Sequence, residues 1–311
     1  MPLTEEETSY AIARRTSGDH HRRRPRARQG ARACSSPTRG RVVVNDTGSE
    51  SDGEQDDEST AQEVAAEIRQ RGGEAVASTH DVSRWSDAEA LVGAAVEAFG
   101  DLDVLVNNAG ILRDRAVVNM TEDEWDHVVA VHLKGHFAMT RWAGAHWRDE
   151  HKAGRGRRRN VVHTSSTSGL FANPGQSNYG AAKSGIATFS QIVAKELARY
   201  DVTSNCIAPA ARTRLTLASP GLEDIMAPQE GRFDEWDPAN VSPLVAYLST
   251  AGCPLTGETF FVQGGVIRRV RPWEIGESIE HTEAWTVDGL AGALGGLCRR
   301  RTAAEIPSGP P

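Results

Sequence analysis

Residues 161–183 read VVHTSSTSGLFANPGQSNYGAAK. Val161 and Val162 open a short apolar run that passes into a Ser/Thr/Gly cluster, the pattern of a buried strand ending in a loop. The segment 177–199 then has the length and composition of a long helix. Tyr179 and Lys183 stand four residues apart on it, so their side chains share one face, a turn apart. A phenol ionises near pH 10 and is a poor base at neutral pH. A neighbouring ammonium favours the phenolate and lowers that value. The pair therefore suits proton exchange in an alcohol/carbonyl conversion. Ser166 follows the strand, thirteen residues before Tyr179. A Y-x-x-x-K spacing alone also describes surface pairs on many helices, so its surroundings decide.

Upstream, 104–106 reads as a strand that runs directly into Asn107-Asn108-Ala109-Gly110. Thr121 and Glu124 form a capping box for a helix reaching about Arg148, and residues 150–159 are a charged surface loop. Ser86 and Glu89 suggest another capping box, for a helix carrying Leu91, Val92, Ala95 and Phe99. Ahead of it come RVVVND (41–46) as a strand, an acidic Gly/Ser-rich loop at 47–59, a helix with Ala61, Val64, Ala65 and Ile68 on one face, Gly72-Gly73, and a strand at 75–78. Downstream, 202–207 and 259–262 read as strands around a helix at 240–250. Strands alternating with helices predict βαβ units, and their continuous apolar runs predict a sheet covered on both faces. The expected fold is α/β: one domain with a doubly wound parallel sheet, Rossmann-like, over residues 41–270.

The three motifs N-N-A-G, TSSTSG with Ser166, and Tyr179-x-x-x-Lys183, in this order, resemble the short-chain dehydrogenase/reductase family over about residues 41–270. The resemblance implies a hydride transfer between a nicotinamide cofactor and a secondary alcohol or ketone. Tyr179 would exchange the proton, Lys183 would bind the nicotinamide ribose, and Ser166 would hydrogen-bond the substrate oxygen. Asn108 would lie against the cofactor, and Asp81-Val82 would hold the adenine. Ile207-Ala208-Pro209 and Thr213 resemble the loop beside nicotinamide, with Ala210 where the family has Gly. Asp46 ends the second strand, where a carboxylate accepts hydrogen bonds from ribose hydroxyls and repels a 2′-phosphate, which favours NAD over NADP. A plain strand-end aspartate is the alternative.

Within the family, VVVND, AEIRQRGGEAVA, NNAGILRDR, VHLKGHF and ANVSPLVAYL resemble the dehydrogenase parts of peroxisomal multifunctional enzymes of type 2 and their bacterial relatives. That likeness implies a 3-hydroxyacyl-CoA or hydroxysteroid substrate, and an apolar lid built from Leu215, Leu217, Leu222, Ile225, Met226 and Phe233. His132 stands where most of the family has the Asn of a proton-relay water site; an imidazole can hold the same water, and a packed helix histidine is the alternative. A homo-oligomer is also implied.

The family's T-G-x-x-x-G-x-G turn and the strand before it are missing from residues 1–40. Residues 20–40, HHRRRPRARQGARACSSPTRG, hold seven arginines and no large apolar residue. With permitted GC-rich codons, a one-base frame change re-reads them as something close to TTGAARGHGRAHALAARRRGA, which restores the turn. The expectation is an irregular 1–40 segment, weak or no NAD binding by this chain, and a loose 271–311 tail. A catalytically inactive remnant or binding module is the rival reading.

The net charge of −7 and the lack of aromatic interleaving disfavour a nucleic-acid binder. Cys34, Cys206, Cys253 and Cys298 form no C-x-x-C pair, so neither zinc nor a disulfide framework is expected. His20, His21, His146 and His151 show no nearby carboxylates in a metal-like setting. No apolar run has membrane-spanning length, and the acidic start MPLTEEETSY is unlike a signal peptide, so a cytoplasmic protein with a small-molecule substrate is expected.

Overall fold

Val43, Val44, Val104, Leu105, Val161, Val162, Ile207 and Val262 are all buried, as strands covered on both faces require. The computed structural model describes residues 10–14, 40–48, 60–217, 222–229, 231–271 and 273–297. The strands are β1 (Tyr10–Arg14), β2 (Arg41–Asn45), β3 (Glu74–Ser78), β4 (Val104–Asn107), β5 (Arg159–Thr164), β6 (Val202–Pro209), β7 (Thr259–Gln263) and β8 (Val266–Val270). They form one sheet in the order β3-β2-β1-β4-β5-β6-β7-β8. The pairs β2/β3, β4/β5, β5/β6 and β6/β7 are parallel, and β8 closes an antiparallel hairpin with β7.

The helices are α1 (Thr60–Gln70), α2 (Trp85–Phe99), α3 (Glu122–Val129), α4 (Gly135–Lys152), α5 (Thr167–Phe171), α6 (Ser177–Glu196), α7 (Arg214–Leu217), α8 (Leu222–Met226), α9 (Ser242–Leu248) and α10 (Val287–Leu297), and both faces of the sheet are covered. Leu91, Leu102, Leu105, Met139, Trp147 and Val161 pack one face of the sheet. Leu244, Leu248, Ile207 and Val262 pack the other. The Thr121 capping box forms: Glu124 N–H donates to Thr121 Oγ1 (3.2 Å) and Thr121 N–H to Glu124 Oε2 (2.8 Å). The box at Ser86 does not. There the N-cap is the extended Arg84, two residues ahead of Ser86, and Ser86 turns its hydroxyl to Asp87 Oδ1 (3.2 Å).

Two expectations about the ends are corrected. A strand does precede residue 41: β1 fills the slot between β2 and β4, antiparallel to both. Two facing open edges present unpaired backbone groups, and a short apolar run such as YAIAR satisfies them in either direction. The register sets Tyr10 beside Asn45 and Asn107, and Arg14 beside Arg41. The chain thus leaves β1 at the edge opposite Asp46 and Asn108. The expected Gly-rich turn, and the arginines of 20–40, lie outside the described residues except Gly40. The tail is not wholly irregular either, since α10 forms, although none of its residues is buried. Its last residues, 298–311, lie outside the described ones.

At the edge opposite the N-N-A-G turn, Arg159 is 1% exposed and donates to both oxygens of Asp101 (2.8 and 3.0 Å). His146 Nε2 meets Asp101 Oδ1 at 2.7 Å, so this histidine does have a carboxylate beside it. Burial pushes the Asp101 carboxyl up, but the hydrogen bonds from His146 and Arg159 outweigh it and hold it well below the usual carboxylate range.

Candidate active site

Beyond the end of β5, Ser166 turns into an extended N-cap of α5 and accepts from Ser168 N–H (3.2 Å). Helix α5 lies hard against α6. A Cβ at Gly169 would stand 2.6 Å from Lys183 Cβ and 2.7 Å from both Lys183 C and Ser184 N. A Cβ at Gly180 would stand 3.2 Å from the Ser168 carbonyl oxygen. These two glycines let the Ser166 turn approach the helix that carries Tyr179 and Lys183.

Tyr179 is 8% exposed and Lys183 3% exposed. Lys183 Nζ lies 5.5 Å from the centre of the Tyr179 ring. The same ammonium donates to the Thr164 carbonyl (2.8 Å), and Ser165 Oγ donates to the Lys183 carbonyl (2.7 Å). The strand that delivers Ser166 therefore also fixes Lys183. The spacing expectation for Tyr179 and Lys183 matches this geometry, with the ammonium beneath the phenol.

A polar brace ties the N-N-A-G loop to this unit. Gln176 donates from Nε2 to Asp114 Oδ2 (2.6 Å), while its Oε1 accepts from Ser168 Oγ (2.6 Å) and Asn173 Nδ2 (3.0 Å). Burial raises the Asp114 carboxyl, with the Gln176 hydrogen bond opposing. Asn178 Nδ2 donates to the carbonyls of Arg113 and Glu124, both at 3.0 Å. Sequence reasoning does not single out Gly169, Gln176 or Asn178; the NPGQSN string before Tyr179 is the available signal.

His132 is fully buried, with its ring edge-on to Tyr179 at 5.0 Å between centres. Its Nε2 lies 2.8 Å from the Ile111 carbonyl oxygen and 3.1 Å from the Ile111 nitrogen. Burial first, and then the Lys183 charge, push its imidazole well below the ordinary histidine range. Deeper in, His136 stacks on His163 at 5.6 Å, and Asn107 Nδ2 donates to Thr140 Oγ1 (3.1 Å) and meets His163 Nδ1 (3.2 Å). Burial pushes His163 down to about 3. His136 is also held low, by burial and then by Lys183 and the neighbouring histidines.

At the far end of the same edge, Asp46 is 8% exposed and accepts from Gly48 N–H (2.8 Å). Asp81 accepts from Ser83 N–H (2.9 Å) and Ser83 Oγ (2.7 Å) and pairs with Arg84 (3.3 Å). Asn45, not anticipated, joins the two loops: it donates to the His80 carbonyl (3.0 Å) and accepts from His80 N–H (2.9 Å) and Ser78 Oγ (2.7 Å). The Val82 side chain packs into the core, leaving its backbone for any ligand contact. Asn108 is half-buried in the turn after β4.

Pro209 ends β6, and Ala210 N–H donates to the Val262 carbonyl (2.9 Å). Thr213 Oγ1 accepts from Thr216 N–H (3.2 Å). Arg212 clasps the lid, donating to the Met226 carbonyl and to Asp234 Oδ2, both at 2.6 Å. Among the lid's apolar residues, Met226 is buried, whereas Leu217, Ile225 and Phe233 are exposed. The side chains of Leu215 and Leu222 lie outside the described ones. Among the described residues no cluster of His, Cys, Asp or Glu could hold a metal ion, and no helix is long and apolar enough to cross a membrane.

This geometry sets a phenol over a fixed ammonium, with a serine hydroxyl one loop away. The residue chemistry is compatible with a nicotinamide dinucleotide: the Lys183 ammonium could donate to one ribose and the Asp46 carboxylate could accept from the hydroxyls of the other. Residues 54–217 match the family model of the short chain dehydrogenases. Hydroxyacyl-CoA dehydrogenase ChsB1 of Mycobacterium tuberculosis is 41% identical over 238 residues, covering 74% of this chain and 72% of the relative. Mouse peroxisomal multifunctional enzyme type 2 is 40% identical over 233 residues, which span 75% of this chain but only 29% of that protein. The crystal structure of a short chain dehydrogenase from Mycobacterium avium superposes with a TM-score of 0.73 at 44% identity, covering 87% of this chain and 88% of that one.

Proposed function

This chain belongs to the short-chain dehydrogenase family of oxidoreductases, and from that premise we propose that it interconverts a secondary alcohol and its ketone with NAD, acting on a 3-hydroxyacyl-CoA or a hydroxysteroid. The observation that carries this reading is the buried Lys183 ammonium fixed by the Thr164 carbonyl beneath the Tyr179 ring. Bound NAD would take up or supply the hydride. Tyr179 gives its hydroxyl proton to the substrate oxygen during reduction and takes it back during oxidation. Lys183 stabilises negative charge on the phenol oxygen between those events. Ser166 orients the substrate oxygen by a hydrogen bond. Asn108, Asp81 and the Val82 backbone line the cofactor's side of the sheet edge. The Asp46 carboxylate supports NAD, because it would accept from ribose hydroxyls and repel a 2′-phosphate.

The hydroxyacyl-CoA relative supports the acyl-CoA class. The exposed Leu217, Ile225 and Phe233 of the lid supply apolar surface for either substrate. Exposed Phe137 and Ile192, on α4 and α6, support a homo-oligomer, which light scattering would measure. Replacing Tyr179 by Phe removes the proton donor and is expected to cut turnover by about 10²-fold or more; retained activity would sink the assignment.

A second reading is favoured by the reversed β1. In a doubly wound sheet the phosphate-binding turn follows the C-terminal end of the central strand, and here that end lies away from Asp46 and Asn108. On this reading the catalytic residues are in place but the dinucleotide is held weakly. Titration with NAD, followed by cofactor fluorescence, separates the two: saturation at micromolar concentrations supports the first, and none at millimolar concentrations the second.

A further inference from the structure

We propose that Arg212 is a specificity-determining positioning residue: it pins residues 226–234 as a fixed wall over the end of β6, against which the apolar tail of the substrate packs. This role rests on the reading of the chain as an oxidoreductase of 3-hydroxyacyl-CoA thioesters.

The wall stands beside the reacting centre. Strands β5 and β6 run parallel with Thr164 beside Ile207, and Ser165 N–H donates to the Ile207 carbonyl (2.7 Å). Ser166 and the segment after Pro209 therefore leave the sheet side by side, at the edge where open α/β sheets take their ligands. Arg212 stands on that segment, and its side chain is 14% exposed. Behind the wall, the β7–β8 turn backs its last residues. A Cβ at Gly264 would stand 2.9 Å from both Cα and Cβ of Glu235.

One guanidinium reaches both ends of the loop. Nη1 donates to the Met226 carbonyl at the end of α8, and Nη2 to Asp234 Oδ2, both at 2.6 Å. The backbone adds a third tie, Arg212 N–H donating to the Trp236 carbonyl (2.7 Å). Asp234 is fixed in turn: its Oδ1 accepts from Trp236 N–H (3.1 Å) and its carbonyl from Asn240 Nδ2 (2.9 Å). The hydrogen bond from Arg212 holds the Asp234 carboxyl below its ordinary value, so the pair is charged at neutral pH. Compact loops whose ends are drawn together in this way are frequently functional. Between the ties, Gly231 turns the chain at φ 74° with open space around it. Met226 is buried beneath the loop, whereas Ile225 and Phe233, next to the two ties, are 65% and 69% exposed. A charged fork thus holds two large apolar side chains in the open. The continuity of this surface with Ser166 names its occupant: the apolar tail of a substrate whose reacting oxygen lies at Ser166.

The test compares Arg212→Met, Arg212→Lys and Asp234→Asn with the unmodified full chain at saturating NAD. The probes are 3-hydroxybutyryl-CoA and 3-hydroxydecanoyl-CoA, which differ only in the length of the apolar tail. One methylene in a fitted apolar pocket is worth about 10-fold or more in discrimination. Arg212→Met should therefore raise KM for the longer thioester about 10-fold or more, leaving its kcat and both constants of the shorter one within about 2-fold. Arg212→Lys should behave in the same way, because a single ammonium lacks the fork that spans both partners. Asp234→Asn should raise the same KM, and adding it to Arg212→Met should change nothing further, since both break one unit. Equal effects on the two thioesters, full rescue by lysine, or additive losses would overturn the proposal. Amide hydrogen exchange without cofactor or substrate gives a reading free of activity. Residues 223–236 should exchange about 10-fold faster in Arg212→Met, with α6 unchanged; unchanged exchange would overturn the pinning. No turnover of either thioester by the unmodified chain with NAD bound would overturn the substrate class and the wall's role with it, while the exchange data would still decide whether Arg212 pins the loop.

Discussion

Replacing Gly169 by Ala adds one methyl group where the structure has no room for it. The new Cβ would lie 2.6 Å from Lys183 Cβ and 2.7 Å from the backbone atoms Lys183 C and Ser184 N. Carbon atoms pack at about 3.5–4.0 Å, so α5 must retreat from α6 by roughly 1 Å. The partners are helix backbone and cannot rotate away. Overpacking of this kind costs about 1–3 kcal/mol. The retreat also moves the Ser166 turn away from Tyr179 and Lys183, and a displacement near 1 Å in a positioned site costs about 10²-fold in rate. The control is Gly93→Ala on α2, where an added Cβ meets nothing within 4 Å. There the gain in helix propensity should stabilise by about 0.5–1 kcal/mol. Urea denaturation of the two variants, read by far-UV circular dichroism, gives both signs in one experiment. Equal stability of Gly169→Ala and the parent would refute the claim that α5 and α6 meet backbone to backbone at this point.

Other perturbations probe separate parts. Asp101→Asn leaves the fully buried Arg159 without its bidentate partner and should destabilise by about 3–5 kcal/mol in the same denaturation assay. His132, His136 and His163 have folded pKa values below their unfolded ones, so the unfolded chain binds more protons once the pH drops below about 6.5. Stability should therefore be complete above about pH 6.5 and fall below it, with up to three protons taken up on unfolding; a flat profile between pH 6.5 and 4.5 would contradict their burial. The depressed Asp101 adds a further loss only below about pH 4, where its unfolded carboxyl protonates. Asp46→Ala should weaken the preference for NAD and admit NADP, measured as the ratio of kcat/KM for the two cofactors.

What the sequence makes legible is local. An apolar run followed by small polar residues marks β4 and β5 and the loops after them. The i, i+4 relation places Tyr179 and Lys183 on one face without knowledge of the tertiary fold. Contacts between distant segments are not legible in this way. Asp101 and Arg159 stand 58 residues apart and meet only because β4 and β5 pair. Asn45 reads as the polar end of a strand, and its bonds to His80 exist only once β2 and β3 lie side by side. Gly169 reads as a loop glycine, and only the packing of α5 on α6 gives it a role. Residues Ala130–Lys134 form a π-helical turn whose one extra residue shifts the helical phase, and that shift shows only in the folded helix. The strand β1 is hidden because a five-residue run carries no sign of its partner or direction. Helix α10 carries Val287, Leu290, Ala291 and Leu294 at helical spacing, but four interspersed glycines obscure the pattern and none of its residues is buried.

The central claim is that Tyr179 and Lys183 drive an alcohol/ketone conversion. Its most direct test is NAD reduction with a 3-hydroxyacyl-CoA, measured in the chain as written and in a version with a strand and glycine-rich turn built ahead of residue 41. Each is compared with its Tyr179→Phe variant under saturating cofactor. The account predicts that the version with the turn restored is active, that Tyr179→Phe lowers its kcat by about 10²-fold or more, and that the chain as written shows the same dependence on Tyr179 at whatever rate its cofactor affinity allows. Full activity in the Tyr179→Phe variant, or no activity once NAD is shown to bind the restored version, would contradict it.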